Sequence, residues 1–440
     1  MMFTSKKFFA LAKEKGIEPF ELRYVKGSTL SIGVFQDQVE DYTLATDAAI
    51  SGRGIYNGNI GSFSSDKVDN SVAELMVNSI VENATYGHSL DPEFFIGKTY
   101  KYKRIRSISK LDDVKSEDLV ALCKEISAKT RAKESRVTNC EVSLSFSDNE
   151  RILENSNGLK LKSKEKYIVL YASTKVVQGE EIETGFDFTI INDLSTFDVD
   201  KFVDGLIKKS VDQLGGEVIK TGKYNVLYSE ECVASLIQVL MSNVSSFAVD
   251  QHLSLFEGKV GQKILSSKLT IVENPYAKNV FASSFDDEGV PTQRKVLVNK
   301  GVLSTFVYDL EMAKKYGVTS TGNASLQGGN IRPSLGFIEV KKGKRSKEEI
   351  IASMKKGVYI TSLQGMHAGM NAQSGNYSLQ AAGFYIEDGK IVKPVSLITV
   401  SGNLIEDFNK VIAVASDAKL TYQAIEAPSI LIRALSISGK

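Results

Sequence analysis

The sequence predicts an α+β protein: an N-terminal helix, antiparallel sheet and helix, a second similar middle unit, and a β-rich C-terminal domain. Two observations carry this. Runs of strand-forming residues separated by two-residue turn chemistry, each run flanked by helical periodicity, occur twice before residue 216. Beyond Gly222 strand patterns dominate, with only short helical segments between them. The expected boundaries are 1–90 for the first unit, 91–112 for a linker, 113–216 for the middle unit and 222–440 for the C-terminal domain.

In order along the chain, Thr4 caps a first helix carrying Phe8, Phe9, Leu11 and Ala12, which ends at Gly16. Strands follow at 20–25, 30–35, 38–44 and 48–56, with turns expected at Lys26-Gly27, Gln36-Asp37, Thr46-Asp47 and Asn57-Gly58. A helix over 67–86 places Val68, Val72, Leu75, Met76, Ile80 and Val81 on one side. Pro92 and several lysines without a period mark the linker. Ser116-Glu117-Asp118 then opens a helix to about 132. Strands are expected at 137–146, 151–155, 159–161, 167–175 and 183–191, with a turn at Asn155-Ser156-Asn157-Gly158, and a helix over 199–214 stops at Gly215-Gly216. The repeated pattern suggests architectural duplication, without a sequence repeat to accompany it.

The C-terminal domain opens with a strand at 224–228 and a helix to Val244, capped by Ser229 with Glu230 and Glu231 in its first turn. Residues 281–285 read as a short extended segment ending in the carboxylate cluster Asp286-Asp287-Glu288 closed by Gly289, expected as a loop tip. A hairpin follows, with strands at 295–298 and 302–308 joined by Asn299-Lys300-Gly301. A helix over 310–316 stops at Gly317, and Thr321-Gly322-Asn323 forms a second polar loop. Ser346 and Glu349 have capping-box spacing for a helix over 347–354. Strands at 358–363, 377–384, 390–392, 396–400 and 430–437, with a helix near 404–411, complete the chain.

Composition removes several function classes. With 54 basic and 53 acidic residues the formal net charge is +1, which leaves no broad electrostatic footprint for nucleic acid or an anionic membrane. Cys123, Cys140 and Cys232 are odd in number and far apart, so neither a disulfide framework nor a CxxC metal knuckle is spelled. The apolar stretch from Phe8 to Ala12 is too short for a signal peptide, and a cytoplasmic location is expected. There is no Walker A run and no GxSxG elbow; Gly52-Arg53-Gly54 has Asn57 where a dinucleotide fingerprint has its third glycine.

Asp287-Glu288-Gly289, Gly301-Val302-Leu303, Ala313 and Thr321-Gly322-Asn323-Ala324 together resemble the long fingerprint of the TldD/PmbA (TldD/TldE) family. Gly258-Lys259-Val260-Gly261-Gln262 looks like that family's GKxGE/Q turn. The tail from Ser374-Gly375-Asn376-Tyr377 through Gly383-Phe384-Tyr385-Ile386-Glu387-Asp388-Gly389 to Pro428-Ser429 and Ser438-Gly439 is similar to the PmbA (TldE) branch. The resemblance is dense over 225–440. It implies the three TldD/PmbA domains and a peptide-processing metalloprotease, a family of which part has carried a name referring to DNA gyrase modulation.

In the TldD branch the helix equivalent to 229–244 carries His-Glu-x-x-x-His, whose histidines bind zinc while the glutamate serves as base. Counting back from Gly258 puts Ile237, Gln238 and Ser242 on those positions, and none of them can do that chemistry. The family's late cysteine ligand also has no counterpart after Cys232. The resemblance therefore implies a PmbA/TldE-type subunit with no catalytic or metal-binding residues of its own. It would pair with a zinc-bearing TldD-type partner to process unfolded peptides. A non-enzymatic homodimeric interaction protein and a stand-alone hydrolase with a different site are the alternatives. Residues for a peptide cleft are Asp286, Asp287, Glu288, Gly289, Thr321, Gly322, Asn323, His367, Ser374, Gly375 and Asn376. Each has a bland counterpart: solvated carboxylates at a turn, a tight turn, a loop histidine. His88, His252 and His367 lie in separate segments with no helical pair spacing. Cys232, in the first turn of a helix, is open to a reactive thiolate or to a buried small hydrophobe.

Overall fold

The computed structural model describes residues 4–87, 100–327 and 329–440; His88 and residues 91–99 of the expected linker lie outside the described residues. The chain is a mixed α+β protein. Its first part comprises α1 (Ser5–Glu14), β1 (Phe20–Phe35), β2 (Gln38–Tyr56), β3 (Asn59–Ser65), α2 (Val72–Tyr86), α3 (Ser116–Lys133), β4 (Val137–Asn155), β5 (Lys160–Gln178), β6 (Glu181–Ile191) and α4 (Val199–Val211).

These strands form one antiparallel sheet in the order β3-β2-β1-β4-β5-β6. The two helix–sheet–helix units are thus joined edge to edge, β1 pairing with β4 from Glu21↔Asn155 to Phe35↔Glu141. Helices α1 and α2 cover one end of the sheet over Phe8, Phe20, Ile50, Met76 and Ile80. Helices α3 and α4 cover the other over Leu30, Ile32, Cys123, Leu144, Leu170 and Leu206.

Four expected short strands are two long ones, because the chain does not turn at Lys26-Gly27 or Thr46-Asp47; these residues pair directly, Gly27 with Asp47. Gly27 is there for room. A Cβ at this position would stand 2.0 Å from Asn149 Oδ1 on the neighbouring strand. At Gln36-Asp37 and Asn57-Gly58 the chain does turn, all four residues having positive φ as a two-residue hairpin of this type requires. The strands expected at 137–146 and 151–155 likewise fuse into β4, and those at 159–161 and 167–175 into β5.

The C-terminal part runs β7 (Gly222–Tyr228), α5 (Glu230–Ser242), α6 (Ser246–Asp250), β8 (Ile271–Glu273), β9 (Lys295–Asn299), β10 (Val302–Leu303), α7 (Leu310–Lys315), β11 (Ala324–Gln327), β12 (Asn330–Pro333), β13 (Ile338–Val340), α8 (Lys347–Ala352) and β14 (Lys356–Gln364). It continues with α9 (Met366–Gly369), β15 (Asn376–Glu387), β16 (Lys390–Asn403), α10 (Leu404–Asn409), β17 (Val411–Val414), β18 (Lys419–Leu420), β19 (Ile425–Ala427) and β20 (Ile430–Ser438).

One sheet is ordered β16-β15-β14-β7-β20-β17, and the extra pairing of β16 with β20 closes five of its strands into a ring. A second sheet is ordered β10-β9-β8-β13-β19-β18. Helix α5 shares one core with both: Val233, Leu236, Ile237 and Leu240 cluster with Val226, Ile360 and Leu379 of the ring and with Ile271, Val298 and Ile425 of the second sheet. Ser229 caps α5 by accepting from Cys232 N, and the reciprocal Ser346–Glu349 box caps α8.

Two expected strands are not formed as such. Residues 281–285 make only an isolated bridge, Phe285 to Pro291. The return strand of the Asn299-Lys300-Gly301 hairpin ends at Leu303, because the chain then swings toward α5 and Val307 N donates to Val244 O at 2.9 Å. Among the described residues no helix is long and apolar enough to cross a membrane.

Candidate functional site

The carboxylate cluster expected at an exposed loop tip is buried instead. Asp286 and Glu288 are among the least exposed charged residues, because the loop from Phe285 to Val290 is pressed against β1, β2 and β4 of the first sheet. Three arginines from those strands meet it. Arg23 donates to Asp287 O at 2.5 Å and lies 3.3 Å from Asp287 Oδ1, and Arg151 forms a short ion pair with the same oxygen. Arg53 lies between Glu21, at 2.7 Å, and Glu288, at 3.4 Å.

Backbone N–H groups complete the arrangement. Asp286 accepts from Glu288 N, Val290 N and Ala324 N, each at 2.9 Å, while Asp287 Oδ2 accepts from Leu326 N at 2.7 Å and Glu288 Oε2 from Leu310 N at 2.8 Å. Gly289, at φ +82, closes the loop, and its carbonyl accepts from Tyr102 Oη at 2.7 Å. This loop is a charged lock between the two halves of the protein.

Beside the lock lies a cleft of about 340 Å³. Its walls are β1, β2 and β3 on one side and α7 with the β11–β12 hairpin on the other, and its charged lining includes Glu21, Arg23, Arg53, Glu288, Asp309 and Arg332. Apart from Glu288, the residues expected from the sequence to form a cleft are not in this lining. Residues Glu21, Arg23, Arg53 and Arg151 had no local signature. Even the Gln36-Asp37 hairpin would have misled, since its simple register sets Gly52 opposite Glu21; the bulge between Gly33 and Val34 moves the register by one and brings Arg53 there.

Burial dominates the titration of the lock. It pushes Asp286 up to about 7 against the pull of its three N–H donors, and Glu288 up to about 8 against the pull of Arg53. Burial alone would lower Arg53, but the charges of Glu21 and Glu288 outweigh it and hold the guanidinium above its ordinary value. A carboxyl whose folded-state value is raised stabilises the fold fully below its unfolded value, about 4, and that contribution disappears as the pH rises through its folded-state value. The melting temperature is therefore expected to fall between pH 6 and 8.5, and Glu288→Gln should flatten that slope. A melting temperature that rises across this window in the wild-type protein would contradict the assignment.

Thr321, Gly322 and Asn323 sit behind the lock. Asn323 is buried, accepts from Lys295 Nζ and Thr321 Oγ1 at 2.8 Å each, and donates to Glu273 Oε1 at 2.7 Å and Ser334 O at 2.9 Å. Both amide hydrogens and the oxygen are engaged internally, so this loop braces β8 and β9.

The remaining residues lie elsewhere. His367 is exposed on α9, and Ser374 and Asn376 are exposed in the turn before β15, with Gly375 buried at φ +75. Asn371 Oδ1 accepts from Ser374 N at 2.8 Å and Asn403 Nδ2 donates to Asn376 Oδ1 at 2.9 Å. This turn abuts the C-terminal end of α5, where Asn243 Nδ2 is 3.5 Å from Ala372 O. The structure does not bring His367, Ser374 and Asp287 together, since Asp287 is held in the lock.

On α5 itself Ile237 is fully buried in the core, Gln238 and Ser242 are exposed, and Ser242 Oγ donates to Val239 O at 2.8 Å. A buried isoleucine has no donor atom, so this face does not fit a zinc ion. Among the described residues no group of three or more His, Cys, Asp or Glu side chains is placed to hold a metal. Cys232 is a buried core residue, and burial pushes its thiol up to about 12. His252 is exposed and 3.1 Å from Glu257.

Residues 109–215 match the family description "PmbA/TldA metallopeptidase central domain" and residues 221–439 match "PmbA/TldA metallopeptidase C-terminal domain". A metalloprotease PmbA homolog of Buchnera aphidicola (Acyrthosiphon pisum) is 30% identical over 69% of this chain and 66% of its own length. A second, from the Baizongia pistaciae strain, is 30% identical over 60% and 58%. The chain thus spans about three-fifths to two-thirds of the first relatives it matches. Escherichia coli metalloprotease PmbA is 25% identical over 96% of this chain and 92% of that protein. Among solved structures, a Thermotoga maritima protein described as a modulator of a DNA gyrase superposes with a TM-score of 0.91 at 27% identity, covering 99% of each chain. TldE of Thermococcus kodakarensis shares the fold with a TM-score of 0.89 at 23% identity over 99% of this chain and 100% of that one. On these matches the chain belongs to the PmbA/TldD family.

Proposed function

We propose that this chain is the PmbA/TldE-type subunit of a two-subunit metalloprotease that processes or degrades unfolded peptides in the cytoplasm, the zinc being held by a TldD-type partner. The observation that carries the reading is the chemistry of α5. The helix is built, capped and buried like a structural element, yet Ile237, Gln238 and Ser242 occupy the positions where the resemblance expects zinc ligands and a base. Relatives named metalloproteases supply the reaction class. The Asn-rich turn around Ser374 and Asn376, beside the end of α5, offers exposed backbone and amide groups to an extended chain.

The test is purification of the protein alone and with a TldD-type partner, followed by metal analysis and cleavage of an unstructured peptide. About one zinc and cleavage in the mixture only are expected. Stoichiometric zinc with metal-dependent cleavage by the lone protein would overturn the reading.

A further inference from the structure

The cleft beside the lock has a polar floor. Directly paired residues share a face of a sheet, so Glu21, Arg53 and Ser62 form one row across β1, β2 and β3, and Arg23, Ser51 and Ser64 form the next. Both rows line the cleft, whose volume of about 340 Å³ lies within the range of small-molecule sites. Leu310, Leu326 and Ile331 supply apolar surface on the opposite wall.

One atom of the floor is unsatisfied. The Glu21 side chain is only 4% exposed, and its Oε1 accepts from Arg53 Nε at 2.7 Å. Its Oε2 is sealed from solvent and, among the described residues, has no hydrogen-bond donor. Leaving a buried carboxylate oxygen in this state is costly, and an incoming N–H removes the cost. The last torsion of a glutamate is soft, so a small turn presents this oxygen to the cleft.

The surrounding charge calls for a cation. Glu21, Glu288 and Asp309 are buried in the lining, and Asp286 and Asp287 adjoin Glu288 in its loop. Against these carboxylates stand the guanidiniums of Arg23, Arg53 and Arg151, with Arg332 half-buried over Phe247 at 4.3 Å. The exposed Glu311 and Lys314 offset each other, so negative charge is in excess. Burial, then the charges of Asp286 and Asp309 working against Arg53, pushes Glu288 up to about 8.

We propose that this cleft binds a primary alkylammonium group, with an N–H donated to Glu21 Oε2 and the carbon chain against Leu310, Leu326 and Ile331. An ammonium supplies both the missing donor and the missing charge, and the serine hydroxyls of the floor can accept its other hydrogens. A metal ion fits less well, because Arg53 already bridges Glu21 and Glu288 and no metal-holding group occurs among the described residues. The same head group is carried by a free alkylamine, a peptide amino terminus and a lysine side chain.

The lone protein suffices for the test, without a TldD-type partner or zinc, so the outcome does not depend on the proteolytic reading. Butylamine hydrochloride is titrated by saturation-transfer NMR at matched ionic strength, and a dissociation constant of about 1 mM is expected for so small a probe. Uncharged 1-butanol should bind at least tenfold more weakly. Leucinamide and Nα-acetyl-lysinamide then separate the sources: the tighter of the two identifies an amino terminus or a lysine side chain, and binding of butylamine alone identifies a free amine. Glu21→Gln keeps the shape, removes the charge and should weaken butylamine at least tenfold. Ser62→Trp, at an exposed position, should block the cleft without lowering the melting temperature, which separates lost binding from lost folding. Because a bound ammonium favours the ionised form of Glu288, affinity should rise between pH 6 and 8.5. No binding of butylamine, equal binding of 1-butanol, or binding untouched by both variants would overturn the proposal.

Discussion

Asp287→Ala is expected to cost about 3–5 kcal/mol in urea denaturation, the range for removing one partner of a buried ion pair. Arg23 and Arg151 both converge on this carboxylate where the halves meet, Arg23 being buried and the Asp287 side chain only 15% exposed. Removing it strands two guanidinium groups in a low-dielectric contact and also leaves Leu326 N without its acceptor. The loss should be partly restored when Arg23→Met and Arg151→Met are added, because a neutral contact is tolerated better than uncompensated charge. A single-mutant cost under about 1 kcal/mol would mean that the lock is solvated.

Gly322→Ala is the second large effect. This glycine has φ +69, and a Cβ would stand 2.4 Å from Pro291 O and 2.9 Å from Thr292 Cα, both backbone atoms that cannot rotate away. The loop must shift, and with it Asn323 and its bonds to Lys295, Glu273 and Ser334. A cost of about 3 kcal/mol or more is expected, from left-handed strain together with a broken buried network. Gly317→Ala is the matched control: φ is +65, but nothing lies within 4 Å of the added carbon, so only about 1 kcal/mol of strain should appear. Equal losses in the two variants would show that backbone strain alone governs both sites.

The legible parts of the chain were those whose cause is local. Ser229, Ser346 with Glu349, the Asn299-Lys300-Gly301 turn and the Asn57-Gly58 turn each state their conformation within four residues, and each is formed. Gly27 suggests a turn because a glycine in a strand looks like a break; its reason, the side chain of Asn149, is 122 positions away. The lock suggests a solvated tip for the same cause. Its arginines come from positions 23, 53 and 151, and no window around Asp286 contains them. Asn323 looked equally suited to a ligand or a turn until Glu273 and Lys295 were placed around it. That Ile237 offers no donor atom needs no structure, because isoleucine lacks one wherever it sits.

The pairing of β1 with β4 also sets an order of events during synthesis. Residues 20–65 can fold back on one another as soon as they emerge, but the inner edge of β1 meets its first mate at Glu141 and its last at Asn155. For roughly 75 residues of elongation that edge stays wholly unsatisfied, and closing so long a loop slows the final zipping. A fragment ending near residue 90 would carry this naked edge permanently, so excising the first unit as an independent module should yield aggregates, whereas a fragment ending after α4 should remain in solution.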